Sequence, residues 1–362
     1  MNAEDRRVSK PSPEQIRELL EPDGIGRLER LEDYVRRCRR RYVFDSRTVL
    51  FDVRCRTSQN EAILEGSVGV AGLKEGLVQS LSELGLTVRA ENLKIVPPLD
   101  VRFERYALVC VPYSFLCGSP EPSAGHTDEL LLGEPLLLMG EFSDGYWLVQ
   151  GPSGYLGWIR GGDIHIVDRE TWRVWHREER VIFDREEKLG PFSVPAGAEL
   201  PIQEGKILLP DQTTAPIPVD LCLRNTSPTR AFRGEILRRA ESLLGREYVW
   251  AGRGGEGLDC SGFVHTVYAG AGIYLPRDAD QQHLVGRVSG TPDWREDLAP
   301  GDLLFFTGPM GNIVHVALST GGQEFIHAKG GEAVMRGSFD PESNDYDERL
   351  DRCFLVAKRV VR

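Results

Sequence analysis

The chain has 362 residues, a length that suits two to four domains of roughly 100–200 residues each. Hydrophobic residues make up 41% and charged residues 27%, a composition that supports packed cores and excludes a wholly disordered chain. The 55 Asp and Glu residues outnumber the 44 Lys and Arg residues, and the formal charge is −11. Because such an excess repels polyanions, we expect no nucleic acid and no membrane among the partners.

The N-terminus and the cysteines favour a reduced, cytoplasmic location. Residues 1–10 contain no apolar segment of the kind that a secretory signal needs, and no stretch approaches eighteen consecutive apolar residues. The cysteines are scattered, odd in number and form no Cys-x-x-Cys pair, so neither a disulfide framework nor a cysteine-based zinc site is predicted. They are Cys38, Cys55, Cys110, Cys117, Cys222, Cys260 and Cys353.

Residues 1–104 are predicted to form a small α/β module. Residues 12–15 combine an N-cap, a proline and a glutamine at the spacing of a helix start, and apolar residues at helical spacing from Leu28 predict a second helix up to about residue 41. The elements predicted after it are strands near 49–55 and 62–70, a helix at 72–84 and a strand at 87–96. Their order resembles the BON-type ββαβ module, and the expected role is structural or that of an interaction module.

The next two segments are predicted to be small β-barrels. Residues 105–168 contain short apolar strands separated by turn signals such as Ser143-Asp144-Gly145. Within them, Gly154-Tyr155-Leu156-Gly157-Trp158-Ile159 is similar to the bacterial SH3 family. Residues 169–228 are strand-like and proline-rich, and we expect a second, more degenerate SH3-like barrel there.

Residues 229–362 show helices first and strands afterwards, the pattern of an α+β domain. The predicted helices cover 232–244 and 260–271, with a glycine-rich loop at 252–257 between them. The predicted strands cover 302–306, 313–318, 324–328 and 354–361.

Cys260 is the candidate nucleophile of this domain, in the run Leu258-Asp259-Cys260-Ser261-Gly262. It directly follows the glycine-rich loop and lies in the first turn of a predicted helix, where free backbone N–H groups favour negative charge. A thiol in that place is expected to have a lowered pKa. The alternative is another buried core cysteine, which we accept for the other six.

Two histidines supply the groups that thiol catalysis needs. His315 lies in one predicted strand and His327 in the next, and the turn at 320–322 would bring the two rings side by side. One imidazole can then accept the thiol proton, while the other orients it. A His-His metal site is the competing interpretation, although no third ligand is evident.

The last 130 residues resemble the NlpC/P60 family of cysteine peptidases, which have a papain-like α+β fold. The motifs that carry the resemblance occur in the order that the family shows. They are Tyr248-Val249-Trp250, Asp259-Cys260-Ser261-Gly262-Phe263, Leu275-Pro276-Arg277, Pro300-Gly301-Asp302-Leu303, His315-Val316-Ala317 and Phe325-Ile326-His327-Ala328. The resemblance implies Cys260 as nucleophile, His315 as base and His327 as orienting group, with no metal or organic cofactor.

SH3-like domains before such a domain resemble the γ-D-glutamyl-L-diamino acid endopeptidases, also called dipeptidyl-peptidase VI. That resemblance implies a substrate such as free L-Ala-γ-D-Glu-diaminopimelate, cut after D-Glu, with one barrel closing an end of the cleft. The subsite around the free amine would contain Tyr248, Trp250, Asp259 and Ser261. The first barrel would add Tyr155 and an acidic residue, for which Glu129 is the prediction and Asp128 and Glu134 are alternatives.

Each of these substrate contacts has a structural alternative. Asp259 can cap the helix by accepting from the Gly262 amide, and Tyr248 and Trp250 can be core aromatics. Tyr155 can be an ordinary barrel residue. Arg277 is expected to fix the segment after the helix rather than to bind substrate.

Three rival functions remain open from the sequence. The first is an inactive cell-wall-peptide binding protein, against which the intact cysteine and histidines argue. The second is a cysteine acyltransferase, which would need an apolar, lipid-facing segment near the motifs. The third is a secreted peptidoglycan endopeptidase, which the absence of a signal sequence disfavours.

Overall fold

The computed structural model describes residues 12, 15, 28–58, 61–97, 105–177, 179–183, 185–218 and 232–360. These residues form two compact units. The first unit contains the described residues up to 97 together with 138–141 and 154–156, and the second contains the rest.

The first unit has the ββαβ order that the sequence predicts, preceded by a helix. Its elements are α1 (Leu28–Tyr42), β1 (Phe51–Ser58), β2 (Glu61–Val68), α2 (Ala71–Glu83) and β3 (Thr87–Ile95). Strand β2 pairs antiparallel with β1 and parallel with β3, and both helices contribute apolar side chains to one core with this sheet. At the predicted first helix start, Ser12 and Gln15 form reciprocal side-chain to backbone hydrogen bonds, whereas residues 13 and 14 lie outside the described residues.

Helix α1 carries a basic run that the net charge of the chain conceals. Five arginines stand within six residues and all are exposed, while Val35 and Cys38 on the opposite side are buried. They are Arg36, Arg37, Arg39, Arg40 and Arg41. Three of them lie in the last helical turn, where positive charge is favoured by the helix dipole.

The segment predicted as a first barrel forms a seven-stranded sheet in the order β10-β4-β7-β8-β9-β5-β6. Its strands are β4 (Tyr106–Val109), β5 (Tyr113–Cys117), β6 (His126–Leu131), β7 (Pro135–Ser143), β8 (Tyr146–Gln150), β9 (Leu156–Arg160) and β10 (Ile164–Val167). Strands β5, β6 and β10 were not predicted from the sequence. The assignment to the bacterial SH3 family stays a prediction.

The following segment begins with a helix, α3 (Arg169–Arg177), so the prediction of strand-like structure from residue 169 is wrong there. Asp168 accepts a hydrogen bond from the Thr171 amide at 2.8 Å, and the capped helix buries Trp175. The strands after it are β11 (Glu179–Ile182), β12 (Glu187–Leu189), β13 (Phe192–Val194), β14 (Glu199–Gln203), β15 (Lys206–Leu208) and β16 (Thr214–Pro216). Strands β11, β14, β15 and β16 form one sheet, and β12 pairs with β13.

The α+β segment contains four helices and a six-stranded antiparallel sheet in the order β17-β22-β18-β19-β20-β21. The helices are α4 (Phe232–Ser242), α5 (Cys260–Gly270), α6 (Ala279–Gln282) and α7 (Glu348–Cys353). The strands are β17 (Arg287–Gly290), β18 (Leu303–Thr307), β19 (Ile313–Gly321), β20 (Glu324–Ala328), β21 (Val334–Ser338) and β22 (Phe354–Arg359). All predicted helices and strands are present, and α6, α7, β17 and β21 were not predicted.

The two faces of this sheet bury different side chains. Val316, Leu318 and Ile326 pack with helices α4 and α5. Ala317 and Phe325 point the other way, into a cluster rich in phenylalanine. The alternation follows from the period of two along a strand.

Some predictions fall outside the described residues. The domain boundary predicted between 104 and 105 borders the segment 98–104, and the one predicted between 228 and 229 lies within 219–231. Cys222 also lies there, and the other six cysteines are free thiols. In the described part of the chain, every helix is too short or too polar to span a lipid bilayer.

Candidate active site

Helix α5 begins at Cys260, as the sequence predicts. Asp259 is its N-cap, and the Asp259 Oδ1 atom accepts a hydrogen bond from the Gly262 amide at 2.6 Å. The Phe263 amide donates to the Asp259 carbonyl at 2.8 Å, which closes the first turn. The cap therefore fixes the backbone that carries the thiol.

The Cys260 side chain faces strand β19. It packs against the core cluster that includes Val316, and the backbone amides of Val316 and Ser261 form hydrogen bonds to its sulfur. Val316 directly follows His315 in the chain. The thiol thus lies beside the strand that carries the first candidate histidine.

The two candidate histidines are hydrogen-bonded to each other. His315 Nε2 lies 2.9 Å from His327 Nδ1, and the two ring planes stand at 83°. Phe306 and Phe325 pack against the rings, with centroids 5.6 Å from His315 and 5.5 Å from His327. The predicted pairing of the two histidines on neighbouring strands is present.

A β-bulge immediately precedes His315. Phe306 pairs with His315 and Thr307 pairs with Ile313, so Val314 is an extra residue in β19. A bulge of this kind turns the following side chain. The side chain of Val314 is half exposed, while the His315 ring is directed toward His327.

The protonation of the thiol differs from the sequence-based expectation. Burial, with a smaller contribution from the Asp259 charge, raises the pKa of Cys260 to about 12 and outweighs the lowering by the Val316 and Ser261 backbone amides. Burial and the neighbouring His327 lower the pKa of His315 to about 3, and burial lowers that of His327 to about 4. At neutral pH the resting groups are therefore a thiol and two neutral imidazoles.

The hydrogen bond between the histidines assigns a function to each nitrogen. With Nε2 of His315 engaged by His327, Nδ1 is the His315 nitrogen left to exchange a proton with a thiol. For Nδ1 to accept a thiol proton, the neutral His315 ring must carry its own proton on Nε2, and His327 Nδ1 then accepts from that nitrogen in both protonation states of His315. This is the arrangement that an orienting group requires.

The two predicted aromatic contacts differ in their environments. Trp250 is 69% exposed, and its indole N–H donates to the His126 carbonyl at 3.1 Å, so it is not a core aromatic. Tyr248 is partly buried against the same cluster as Cys260. Burial, with the nearby Cys260 and Asp259, raises the pKa of Tyr248, so its phenol is protonated at neutral pH.

Between these aromatics and the nucleophile, Ala251 has a φ of 66°. A residue with a Cβ adopts this left-handed conformation at a cost, and such strain concentrates at functional sites. Ala251 is buried, whereas the preceding Trp250 points outward.

Asp259 and Ser261 are held by Arg277. The Arg277 Nη2 atom lies 2.7 Å from Asp259 Oδ2, and Nη1 lies 3.1 Å from Asp259 Oδ1 and 3.0 Å from Ser261 Oγ. Arg277 is fully buried, and its side chain holds the start of α5, whereas the sequence led us to expect it to fix the segment after that helix. Within the part of the chain that the structure describes, Asp259 Oδ2 accepts one hydrogen bond, from Arg277, of the two that a carboxylate oxygen can accept.

Comparisons with known proteins identify the segment. Residues 245–349 match the NlpC/P60 family. The chain carries an NlpC/P60 domain. It spans about a third of the length of two relatives named gamma-D-glutamyl-L-lysine dipeptidyl-peptidase, from Bacillus cereus and Bacillus subtilis. Both are 38% identical, over 107 and 103 residues, which are 29% and 28% of this chain.

Two further likenesses extend beyond the NlpC/P60 domain. Dipeptidyl-peptidase 6 of Lysinibacillus sphaericus is 27% identical over 270 residues, covering 67% of this chain and 95% of that protein. The crystal structure of an NlpC/P60 family protein from Bacillus cereus superposes with a TM-score of 0.61 at 23% identity. That match covers 71% of this chain and all of the other chain, and it shows a shared fold.

Glu129, the acidic residue predicted for the substrate amine, binds the glycine-rich loop of the NlpC/P60 domain. Glu129 Oε2 accepts from the amides of Arg253, Gly254 and Gly255 at 2.6–3.0 Å, and Oε1 accepts from Glu256 at 2.9 Å. The side chain is fully buried. The predicted contact between Glu129 and substrate stays a prediction. Its structural role in holding the glycine-rich loop was not indicated by the sequence.

The two alternatives to Glu129 belong to a buried chain of alternating charges. Asp128 lies 2.7 Å from Arg277 and 3.2 Å from Arg253, and Glu134 lies 2.5 Å from Arg253. Together with Asp259, three carboxylates and two guanidiniums alternate along this chain. The arginines hold the pKa of Asp128 below its usual value, whereas burial raises that of Glu134.

Tyr155, the predicted aromatic contribution of the first barrel, lies in the first unit. Its ring is buried, and the guanidinium carbon of Arg47 lies 5.5 Å from the ring centroid. Its contact with substrate stays a prediction.

Arg253 and Gln282 also contribute to this region, and the sequence did not indicate either of them. Arg253 hydrogen-bonds residues 119 and 124 positions away, so no local spacing could have indicated its partners. Gln282 is fully buried, and its amide nitrogen donates to the Ser261 and Pro276 carbonyls. Gln282 lies five residues after Arg277 in a short stretch with helical character, and nothing else in the sequence indicates that its amide is buried.

Proposed function

We propose that this protein hydrolyses the γ-D-glutamyl–diamino acid bond of free murein peptides that begin with an unblocked L-Ala. The observation that carries the proposal is the position of the Cys260 sulfur at the Val316 amide, one residue from a histidine that is hydrogen-bonded to a second histidine. Names of relatives that include gamma-D-glutamyl-L-lysine dipeptidyl-peptidase support the bond and the substrate class.

The proposed reaction begins with transfer of the Cys260 proton to His315 Nδ1. The sulfur attacks the side-chain carbonyl carbon of D-Glu, and backbone amides of the first turn of α5 stabilise the oxyanion. The His315 imidazolium then gives its proton to the departing amine of the diamino acid. Water, deprotonated by His315, hydrolyses the thioester and releases the L-Ala-γ-D-Glu dipeptide.

The proton transfer is coupled to attack in this proposal. Because burial favours the neutral forms of both Cys260 and His315, a resting thiolate–imidazolium pair is disfavoured. His327 stabilises the imidazolium that forms during the reaction, because its Nδ1 accepts from His315 Nε2–H.

Recognition of the free amine is assigned to the first turn of α5 and to the aromatics beside it. Asp259 Oδ2 keeps one acceptor position for an ammonium, and the exposed Trp250 offers a wall for the alanine end. A substrate with a blocked amine would leave that acceptor without a donor. We therefore propose strong discrimination against N-acetylated peptides.

The sheet of residues 105–168 is proposed as an SH3-like barrel that limits the cleft to small peptides. Support comes from β6, whose Asp128 and Glu129 bind the loop and the arginines of the NlpC/P60 domain. A peptide of this size and the six free thiols among the described residues together suit cytoplasmic recycling of cell-wall peptides.

The test compares three substrates. The protein is incubated with L-Ala-γ-D-Glu-meso-diaminopimelate, with its N-acetylated form and with intact sacculi, and Cys260→Ala serves as the blank. Cleavage of the free tripeptide alone is the expected result. Cleavage of sacculi would instead favour a peptidoglycan endopeptidase, and no cleavage would favour a binding protein. Replacing diaminopimelate by lysine in the tripeptide determines which third residue is preferred.

A further inference from the structure

Arg277 is a fully buried guanidinium directed at the first turn of α5. It bonds both oxygens of Asp259, the hydroxyl of Ser261 and, through Nε at 2.7 Å, the Oδ1 atom of Asp128. Asp259 and Ser261, the two residues that flank Cys260 in the chain, are thus held by one planar guanidinium group. Such bidentate geometry is specific to arginine and is not reproduced by lysine.

The backbone around Arg277 is tied to the same turn. Gln282 Nε2 donates to the Ser261 carbonyl at 3.0 Å and to the Pro276 carbonyl at 2.9 Å. Because the carbonyls can only accept, this amide group has a defined orientation. Arg277 is therefore fixed relative to α5 through both its side chain and the adjacent backbone.

The Asp259 charge next to the thiol makes the position of Arg277 relevant to the ionisation of Cys260. The Asp259 carboxylate adjoins Cys260 and opposes negative charge on the sulfur, whereas the Arg277 guanidinium favours it. Because Asp259 is paired at both oxygens, the field at the sulfur depends on how completely Arg277 neutralises it.

We infer that Arg277 is a positioning residue for the nucleophile, which sets the ionisation of Cys260 by neutralising Asp259 and fixing the first turn of α5. This inference rests on the proposed identity of Cys260 as the nucleophile. It also gives strand β6 a part in this positioning, since Asp128 binds Nε of the guanidinium whose Nη atoms bind Asp259.

The test measures alkylation of Cys260 by iodoacetamide at pH values from about 7 to 9, followed by mass spectrometry of the Cys260 peptide. Arg277→Met is expected to alkylate about tenfold more slowly than the native protein at each pH, which corresponds to about one pH unit in thiol ionisation. Arg277→Lys, which keeps the charge but loses the fork, is expected to lie in between. A native rate profile in folded Arg277→Met or Arg277→Lys overturns the inference.

A second pair of variants separates ionisation from folding. In an Asp259→Asn background the charge that Arg277 neutralises is absent and only the direct attraction of the guanidinium for the thiolate remains, so adding Arg277→Met is expected to slow alkylation by clearly less than tenfold. An undiminished tenfold effect in that background overturns the inference, because Arg277 would then act by another route. If Arg277→Met does not fold, Arg277→Lys measured alone and in the Asp259→Asn background decides the same question.

Hydrolysis of the free tripeptide is recorded on the same samples. Absence of hydrolysis by the native protein would refute the proposed function. The alkylation profiles would still report whether Arg277 controls the Cys260 thiol, so the two failures are distinguishable.

Discussion

His315 Nε2 lies 2.9 Å from His327 Nδ1, with the two rings nearly perpendicular. The hydrogen bond uses the same nitrogen of His315 whether that ring is neutral or protonated. It therefore leaves Nδ1 as the single His315 atom through which a proton can be exchanged with Cys260. His327 is 1% exposed, so bulk water does not reach this position to accept the hydrogen bond from His315 in its place.

Replacing His327 tests this relationship. His327→Ala is expected to lower kcat for the free tripeptide by about 10²–10³-fold, because the tautomer of His315 is no longer fixed. His327→Asn places a carbonyl acceptor near the same position and is expected to restore part of the rate. Steady-state kinetics with KM resolved from kcat provide the measurement, and equal rates for both variants would argue against an acceptor function.

The ionisation of the thiol predicts a distinctive pH profile. With burial raising the pKa of Cys260 to about 12, its alkylation rate is expected to rise about tenfold per pH unit up to at least about pH 9. A preformed thiolate–imidazolium pair would instead give a plateau from weakly acidic pH upward. Ultraviolet absorbance of the thiolate, with Cys260→Ala as the reference, checks the same point independently.

Acid is expected to destabilise the fold through buried histidines. Burial lowers the pKa of His265 and of His327 to about 4, whereas an unfolded histidine titrates near pH 6.5. The unfolded state therefore binds more protons below about pH 6.5, and stability falls from there toward pH 4. Each residue should remove about 2 kcal/mol between about pH 6.5 and pH 5.

A variant isolates one of these histidines. His265 Nδ1 lies 2.9 Å from the Leu275 carbonyl, a contact that a glutamine amide can reproduce without titrating. The free energy of unfolding in urea, measured from about pH 5 to pH 7, should depend less steeply on pH in His265→Gln, by about one proton. An unchanged slope would exclude His265 as a source of the acid sensitivity.

The glycine-rich loop should depend on the charge of Glu129. Glu129→Gln replaces an acceptor by an amide that faces backbone donors, and we expect a loss of about 2–3 kcal/mol in the free energy of unfolding. The matched control is Glu256→Gln, since Glu256 is exposed and only its backbone amide bonds Glu129. Chemical denaturation of the two variants gives the comparison, and equal stabilities would contradict the assignment.

The first turn of α5 has no room for a side chain at Gly262. A Cβ there would overlap the carbonyl oxygen of Gly252, which is backbone and cannot rotate away. Gly262→Ala is expected to displace the turn that carries Cys260 and to abolish detectable hydrolysis. Gly234→Ala in α4 meets no atom within 4 Å and is expected to keep full activity, with stability unchanged or raised by up to about 1 kcal/mol. Activity assays and thermal melts on both variants provide the check.

The sequence predicted the local geometry of the candidate site better than its long-range surroundings. The helix start at Cys260, the cap by Asp259 and the pairing of His315 with His327 follow from local patterns of three to fourteen residues, and the structure contains all three. The lowered thiol pKa was predicted from the helix start alone and is wrong, because burial depends on residues far away in the chain.

The buried ion pairs escaped prediction for the same reason. Asp128 and Arg277 are 149 residues apart, and nothing in either neighbourhood indicates the other. Helix α3 was not predicted because the segment is proline-rich after residue 190, a composition that disfavours helix, although Asp168 is an ordinary N-cap residue. Long-range partners decide these features, and a single sequence does not display them.

The chain of alternating charges makes the NlpC/P60 domain a poor candidate for excision. A shortened protein that started near residue 232 would keep Arg253 and Arg277 but lose Asp128, Glu129 and Glu134. Arg253 would then lose both of its carboxylate partners, and Arg277 would keep only Asp259. A transplanted version of the NlpC/P60 domain should therefore include strand β6, so that both buried arginines keep their carboxylate partners.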